Sequence, residues 1–209
     1  MPLSDSVRNL GVMFDSSMSM ATHVSFVCKS VNYYLRNLGF VRKYLNQSAT
    51  EKLVHAFISS RLDFGNVHFF QLPHNQLSRL QKLQNTAARM ITYTRKYDHI
   101  TPVLQSLHWL PMESRILFKI LLLMFHCVHG TAPEYNVSLV QQYTPVRQLR
   151  SSDSISYVVP KVQTKWGDRS FVHAGPLLWN KLPLDIRETH NVDMFKVKLK
   201  SHLFKFAYK

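Results

Sequence analysis

The chain has 209 residues, 45% of them hydrophobic and 12% aromatic, which is enough apolar material to bury the core of one large or two small domains. Lysine and arginine together number 26 against 12 aspartates and glutamates, for a formal net charge of +14. The apolar content excludes an intrinsically disordered chain. The positive charge favours a polyanionic partner, with nucleic acid first and an anionic membrane second.

Residues 10–15, LGVMFD, predict one β-strand followed by a turn. No second strand pattern follows nearby, so we expect the partner strand upstream, outside this chain. A strand without its partner exposes an unpaired edge, and an exposed edge with apolar neighbours predicts self-association.

Three long helices are expected next, at residues 21–45, from Ser48 onward, and at about 75–96. The first has apolar residues at three- and four-residue steps from Val24 to Leu45. A capping-box pattern, Ser48 to Glu51, predicts the start of the second, with Leu53, Val54, Phe57, Ile58 and Leu62 facing the core. The third has a buried stripe of Leu77, Leu80, Leu83, Ala87 and Ile91.

The second half of the chain predicts a short helix at Pro102, an apolar helix over 112–129 and a polar linker from about residue 145. The longest apolar run, 116–128, is interrupted by Lys119 and is too short to span a bilayer. Strand-like stretches follow over 155–171, then helices over 170–181 and 191–207, the last one basic and amphipathic.

The predicted fold is therefore mainly α, a helical bundle with a few short strands and a small α+β C-terminal region. We divide it into residues 1–97 (strand and long helices), 98–145 (helical connector with the buried helix) and 146–209 (C-terminal region).

Two rows of cations repeat every seven residues on the first and third predicted helices. Seven residues return a helix nearly to the same side, so each triplet forms one row about 10 Å per step. No acid occurs between Asp15 and Glu51 or between Asp63 and Asp98. Such rows suit the phosphates of a nucleic-acid backbone, whereas the alternative is an ordinary solvated helix face. The first cation row is Lys29, Arg36 and Lys43, and the second cation row is Lys82, Arg89 and Lys96.

Chemistry beyond binding has little support in the sequence. The acids are scattered, so the carboxylate cluster that would hold two catalytic metal ions is not predicted, and no nucleotide-binding or hydrolase motif occurs. We therefore expect no enzyme activity, no metal site and no cofactor. Asp98 is expected to form a turn, and the sequence His126 to His129 to pack in the core.

The cysteines and the amino terminus bear on compartment. Cys28 and Cys127 match no paired metal or redox spacing, which fits a reducing intracellular compartment, nucleus or cytoplasm. The first residues lack the apolar stretch of a signal peptide. Trp109 lies two residues before Pro111 and Trp179 three residues after Pro176, and both are expected to anchor helix junctions, with base stacking as the alternative.

Eight short motifs occur in one order along nearly the whole chain: VRNLGVMFDSSMSM, LVHAFISSRLDFGN, LQKLQNTAARMIT, YDHITPVLQSLHWLP, RILFKILLLMFHCVHGTAPEY, LRSSD, GDRSF followed by GPLLWNKLP, and FKVKLKSHLF. Together they resemble the C-terminal part of reverse transcriptases of non-LTR retrotransposons of the jockey-like and chicken-repeat-like kind. Gly65, Gln71 and Asn136 depart from the family pattern, which has Cys, Gly and Leu there.

The resemblance implies a primer-grip strand at LGVMFD and thumb-like helices that hold a template–primer duplex. It also implies that the catalytic aspartates of the polymerase lie before the first residue of this chain. Two alternatives stay open: a domesticated module that binds protein or nucleic acid, and the inert product of a decayed reading frame.

Overall fold

The structure, a computed structural model, describes residues 5–144 and 156–209. It is mainly α-helical, as predicted, and the described chain forms two compact units. One unit extends up to Ile116 and includes Ala207–Lys209, and the other is Leu117–Phe206. The linker predicted from residue 145 and the motif LRSSD lie largely outside the described residues. The functional division at 97 and 145 stays a prediction.

A β-hairpin opens the first unit and corrects the expectation that LGVMFD lacks a partner in the chain. Strand β1, Ser6–Asn9, pairs antiparallel with β2, Val12–Asp15, in the register Ser6 to Asp15 and Asn9 to Val12. Strand β1 was not predicted because its four residues show no alternation of apolar and polar side chains, and all four are at least partly exposed. The unpaired strand that motivated the expectation of self-association is therefore paired, and self-association stays a prediction.

Helices in the first unit run up, down and up. Helix α1 is Ala21–Val41, continued by a 3₁₀ turn at Arg42–Tyr44. Helix α2, Gln47–Val54, passes through a π-helical turn, His55–Ser59, into α3, Ser60–Asp63. A 3₁₀ turn at Asn66–Phe69 leads to α4, His74–Thr92. After that come α5, Thr101–Ser106, and the start of α6, Met112–Val128.

The first turn of α2 begins two residues earlier than the predicted capping box. Asn46 is the N-cap, and its side-chain oxygen accepts a hydrogen bond of 2.8 Å from the Ala49 N–H. Asparagine caps a helix as well as serine does, so the chain had two candidate caps and used the earlier one.

Most of the predicted core stripes are buried. In α1 the buried positions include Val24, Val27, Val31, Leu35 and Leu38, and in α4 they include Leu80, Leu83, Ala87 and Ile91. The predictions were wrong for Val41 and Phe57, which are exposed by 44% and 39%.

The π-helical turn explains an unusual spacing on the α2–α3 segment. Four of its buried side chains are four residues apart, at Thr50, Val54, Ile58 and Leu62, and Ser59 is buried beside them. In an unbroken α-helix of 3.6 residues per turn, that spacing would carry the buried side round by about 120° over twelve residues. A π turn holds more residues per turn, so it returns these side chains to one side.

A single buried arginine closes the ends of α1 and α4. Arg42 is 6% exposed, and its guanidinium donates to the carbonyls of Met90 (2.7 Å), Ile91 (3.0 Å) and Leu45 (2.7 Å). The guanidinium carbon also lies 3.7 Å from the centroid of the Tyr93 ring. The cation thus meets the carbonyl ends of a helix, where the helix dipole favours positive charge.

This contact also accounts for the early end of α4. The third helix was expected to reach residue 96, but Tyr93 adopts the left-handed conformation, with φ of 56°, and the helix ends at Thr92. In that position the Tyr93 hydroxyl donates to the Arg42 carbonyl over 3.2 Å. The stop therefore comes from a contact with a residue 51 positions away, which no local pattern displays.

The second unit contains the rest of α6 and further helices: α7, Glu134–Val137, α8, Lys165–Arg169, α9, Phe171–Asn180, α10, Leu184–Arg187, and all but the last residue of α11, Val192–Ala207. The predicted helices at 112–129, 170–181 and 191–207 are confirmed to within one or two residues. Gly130, at φ of 63°, follows the end of α6 as expected of a helix stop.

Strand content is lower than predicted in the C-terminal region. Within residues 156–209, pairing is limited to an isolated bridge between Tyr157 and Gln142, and Lys165–Arg169 is helical. The Asn180 side chain bonds both backbone groups of Tyr157, accepting at 3.0 Å and donating at 2.8 Å. A side chain therefore takes the place of a neighbouring strand.

We expect Arg42→Leu to lower the free energy of unfolding by at least about 2 kcal/mol, because three carbonyls lose a charged donor. Arg36→Leu, on the exposed side of the same helix, serves as the control and should change it by about 0.5 kcal/mol or less. Urea unfolding followed by circular dichroism measures both. Equal effects of the two substitutions would contradict the role given to Arg42.

Gln71 holds a left-handed conformation, with φ of 52°, which glycine adopts readily and residues with a side chain rarely do. The left-handed conformation costs a residue with a side chain about 1–2 kcal/mol, which glycine would avoid. Glycine loses more conformational entropy on folding, so part of this gain in stability is cancelled. We therefore expect Gln71→Gly to raise stability by roughly 0.5–1 kcal/mol. Gln47→Gly, in the first turn of α2, should lower it, and thermal unfolding compares the two variants.

Candidate nucleic-acid interface

Helices α1 and α4 lie side by side and run in the same direction. Near their first turns, the Arg79 guanidinium of α4 donates to the Ser25 hydroxyl of α1 over 3.2 Å. At their last turns, Arg42 donates to Met90 and Ile91. Because both contacts join like ends, the pair is parallel, and helices packed in this way have axes about 8–10 Å apart.

On α1, the cations Lys29 and Arg36 lie on the solvent-exposed surface, close to the side of the helix that contacts α4. Tyr34 marks the side toward α3, because Arg61 donates to its hydroxyl over 2.9 Å, and Ser25 marks the side toward α4. At about 100° per residue, Lys29 and Arg36 lie nearly opposite Tyr34 and within about 40° of Ser25. They therefore lie on the side of α1 that the α2–α3 segment leaves uncovered.

On α4, the buried stripe packs against α1, α2 and α5. Gln84 marks its far edge, since its amide donates to the Leu110 carbonyl over 2.7 Å. Lys82 and Arg89 lie about half a turn from the centre of that stripe. Because the two helices are parallel, the cations of both fall on the same uncovered side. We call this side, with Lys29, Arg36, Lys82 and Arg89, the open face.

Nothing neutralises the open face from within its own helices. Neither α1 nor α4 contains an aspartate or a glutamate. Of the described residues, none accepts a hydrogen bond from Lys29, Arg36 or Lys82. The acids of the first unit that contact a basic side chain do so elsewhere: Asp63 forms an ion pair with Arg115, and the Glu51 carboxylate lies 3.7 Å from Nε2 of His55.

The outer members of both rows differ from their predicted positions. Lys43 belongs to the 3₁₀ turn that extends α1, where its ammonium lies 4.8 Å from the Tyr44 ring centroid. Lys96 lies beyond the end of α4, so it does not continue the row of Lys82 and Arg89 on one helix. The prediction of a three-cation helical row was wrong for Lys96, because Tyr93 turns the chain.

Arg89 has a structural task in addition to its charge. Its guanidinium donates to the carbonyls of Arg95 (3.1 Å) and Asp98 (2.7 Å), and the Asp98 carboxylate accepts from the Arg95 N–H over 3.1 Å. The loop after α4 is thus folded back on the helix. Asp98 forms a turn, as the sequence predicted.

Two cations beside the open face were not in the predicted rows. Arg79 lies on α4 at the border with α1. Arg8, in β1, holds its guanidinium carbon 5.8 Å from the centroid of the Phe26 ring on α1. Arg79 is three residues before Lys82, a helical spacing that the sequence could have revealed, whereas the position of Arg8 depends on the hairpin.

Asp15, the acid at the end of LGVMFD, has a structural role. Asp15 accepts hydrogen bonds from the Ser19 N–H (2.7 Å) and from the hydroxyls of Ser17 and Ser19. Burial alone would raise the pKa of Asp15, but these bonds outweigh it and lower the pKa below its ordinary value. The carboxylate therefore stays charged and closes the turn between β2 and α1.

The sulfur, histidine and tryptophan candidates are likewise packed or bonded. Burial raises the pKa of the Cys28 and Cys127 thiols, so both stay protonated. His126 shares a hydrogen bond of 2.7 Å with Thr131. Trp109 and Trp179 are buried, as expected of helix anchors. Across residues 5–144 and 156–209, no group of three histidine, cysteine or acidic side chains is placed to hold a metal ion.

His23 lies under the hairpin and is 1% exposed. Its Nδ1 accepts a hydrogen bond of 3.3 Å from the Met13 N–H, and its Nε2 is buried with no partner in the described part of the chain. Burial lowers the pKa of His23, with a smaller contribution from nearby His68. A proton on Nδ1 would also remove the acceptor that fixes β2 to α1.

We expect His23 to make the fold sensitive to acid. Its pKa is lowered in the folded state, so the unfolded chain takes up the proton first, and stability falls as the pH falls through the ordinary value of 6.5. His23→Asn keeps a side-chain acceptor without this titration. Between pH 7.5 and 5.5 the free energy of unfolding of this variant should therefore fall less than that of the parent. The difference between the two should be at most about 1.4 kcal/mol per pH unit, the limit for one titrating group. Identical pH profiles would contradict this assignment.

No helix in the described residues is long and apolar enough to cross a membrane. Comparison of the chain with family models, with curated proteins and with solved structures finds no match.

Proposed function

We propose that this chain binds the backbone of RNA or DNA without sequence preference and carries no catalytic step of its own. We further propose that it derives from the thumb and C-terminal region of a non-LTR retrotransposon reverse transcriptase. The ordered motifs support this origin, since eight short matches in one order are far more specific than any one of them.

One observation carries the binding proposal, namely the open face. Four cations project from two parallel helices that contain no acid. Cations of one row are roughly 10 Å apart along the helix, and the axes of the two helices are roughly 10 Å apart. Ordinary solvated helices alternate acids with bases at i,i+4 spacing, and these two do not. An array of cations without counter-charges in the protein suits a polyanion.

The chemistry of the open face favours phosphates over base edges. Contacts to phosphates fix position but carry no sequence information. The helices have no acid to accept from cytosine, so specificity for a base sequence has little support on this face. Binding to unrelated sequences of equal length should therefore be similar and should weaken with salt.

The test replaces Lys29, Arg36 and Lys82 together by glutamine, which keeps helix propensity nearly unchanged. Arg89 is left intact because it folds the loop after α4. We expect weaker binding to duplex DNA in fluorescence anisotropy. The log–log slope against salt should decrease by up to about 2.7, or 0.9 for each of three phosphate contacts.

A matched control carries the same change at three exposed lysines that belong to neither α1 nor α4, Lys52, Lys181 and Lys200. Both variants lose three charges, so a general effect of net charge would weaken both equally. If the first variant binds duplex as tightly as the parent while its circular dichroism is unchanged, the rows are solvated faces and the proposal fails. Preferential binding of the parent to anionic vesicles would instead indicate a membrane partner.

A further inference from the structure

A row of aromatic side chains runs beside the cations of α1. Phe26, Tyr33 and Phe40 are seven residues apart and are exposed by 45%, 60% and 70%. We call these three side chains the ring row. Each ring precedes a member of the first cation row by three residues, so the pattern of ring and cation occurs three times in succession.

Packing within the first unit explains only part of the ring row: the Phe26 ring stacks on the His23 ring, with centroids 6.4 Å apart, yet Phe26 is still 45% exposed. The buried side of α1 is occupied by residues such as Val27 and Val31, and the rings lie outside it. Tyr33 meets the edge of Tyr34, with ring centroids 5.3 Å apart, but remains more than half exposed. Large exposed aromatic side chains in a regular arrangement indicate a binding surface.

The position of the rings relative to the cations is fixed by the helix. Successive rings are about 10 Å apart along the axis, and the row lies about 20–80° round the helix from Lys29 and Arg36, on the side away from α4. Across the surface, the order is therefore rings, cations of α1 and cations of α4. Arg8 over Phe26 adds a further cation at the end of the ring row.

We propose that the ligand of this surface is single-stranded RNA or DNA, with bases stacked on the ring row and phosphates over the adjacent cations. This inference depends on the proposed function, because it names the form of nucleic acid that the same site takes. A duplex keeps the faces of its bases inside the stack, whereas a single strand can place them on aromatic side chains. Stacking tolerates any base, which agrees with binding that has no sequence preference.

A bilayer surface fits the ring row less well. An interfacial helix inserts a continuous apolar face, and here the rings are two turns apart with polar residues such as Asn37 beside them. The opposite side of α1 is already buried against α3 and α4, so the helix has no second apolar face to insert.

The test replaces Phe26, Tyr33 and Phe40 together by leucine, which stays apolar and helix-favouring but has no face for stacking. Fluorescence anisotropy measures binding to a single strand, to the same strand with abasic sugars in place of its bases, and to the duplex. The parent should bind the single strand at least about tenfold more tightly than the abasic strand. The variant should lose that difference and keep its duplex affinity.

The control for this variant replaces three exposed rings of the second unit, Tyr135, Tyr143 and Phe206, by leucine. It should bind every probe as the parent does. If the ring-row variant keeps the parent's preference for the single strand over the abasic strand, the inference is overturned while backbone binding stands. If the parent binds none of the probes at low salt, the proposed function itself fails. Loss of binding to phosphatidylserine vesicles, with the strand preference unchanged, would assign the ring row to a membrane.

Discussion

The first unit depends on one buried cation that has no acidic partner. Arg42 is held by three carbonyl oxygens and a tyrosine ring, so its charge is balanced by dipoles at the end of a helix. This contact fixes α1 against α4 at their carboxyl ends, and the two helices are parallel because the α2–α3 segment between them runs in the opposite direction. Because the two helices are parallel, the seven-residue spacing of the cations places both rows on the open face.

A parallel pair with a third helix on one side leaves the other side uncovered. The covered side takes the apolar stripes, and the uncovered side collects cations and rings that no element in the described part of this unit buries. Charge and aromatic surface are therefore segregated by packing geometry. This is why two separate seven-residue patterns in the sequence meet on a single surface, and why acids can be absent from both helices without leaving a buried charge unpaired.

The sequence predicted what depends on periodicity and missed what depends on contacts between distant residues. The buried stripes of α1 and α4 follow from three- and four-residue spacing, so they could be read directly. The end of α4 at Thr92 depends on Arg42, and the pairing of β2 depends on a polar strand with no alternation. The seven-residue spacing also predicted the helix positions of the four cations of the open face, whereas Lys96, predicted to continue the row of Lys82 and Arg89, lies beyond the end of α4. The ring row was also present as a repeat of seven, but exposed aromatic residues are easily taken for core residues when burial is unknown.

The π-helical turn has a consequence for the length of the chain. The π turn accommodates one residue more than an α-helical turn would. Inserting or deleting one residue in the α2–α3 segment would therefore rotate the residues that follow it in the helix by about 100°. That rotation would carry Arg61 away from Ser30 and Tyr34, which it joins across the helices. Insertions and deletions within residues 47–63 are therefore more disruptive than substitutions there, and related sequences that keep this fold should keep the segment at the same length.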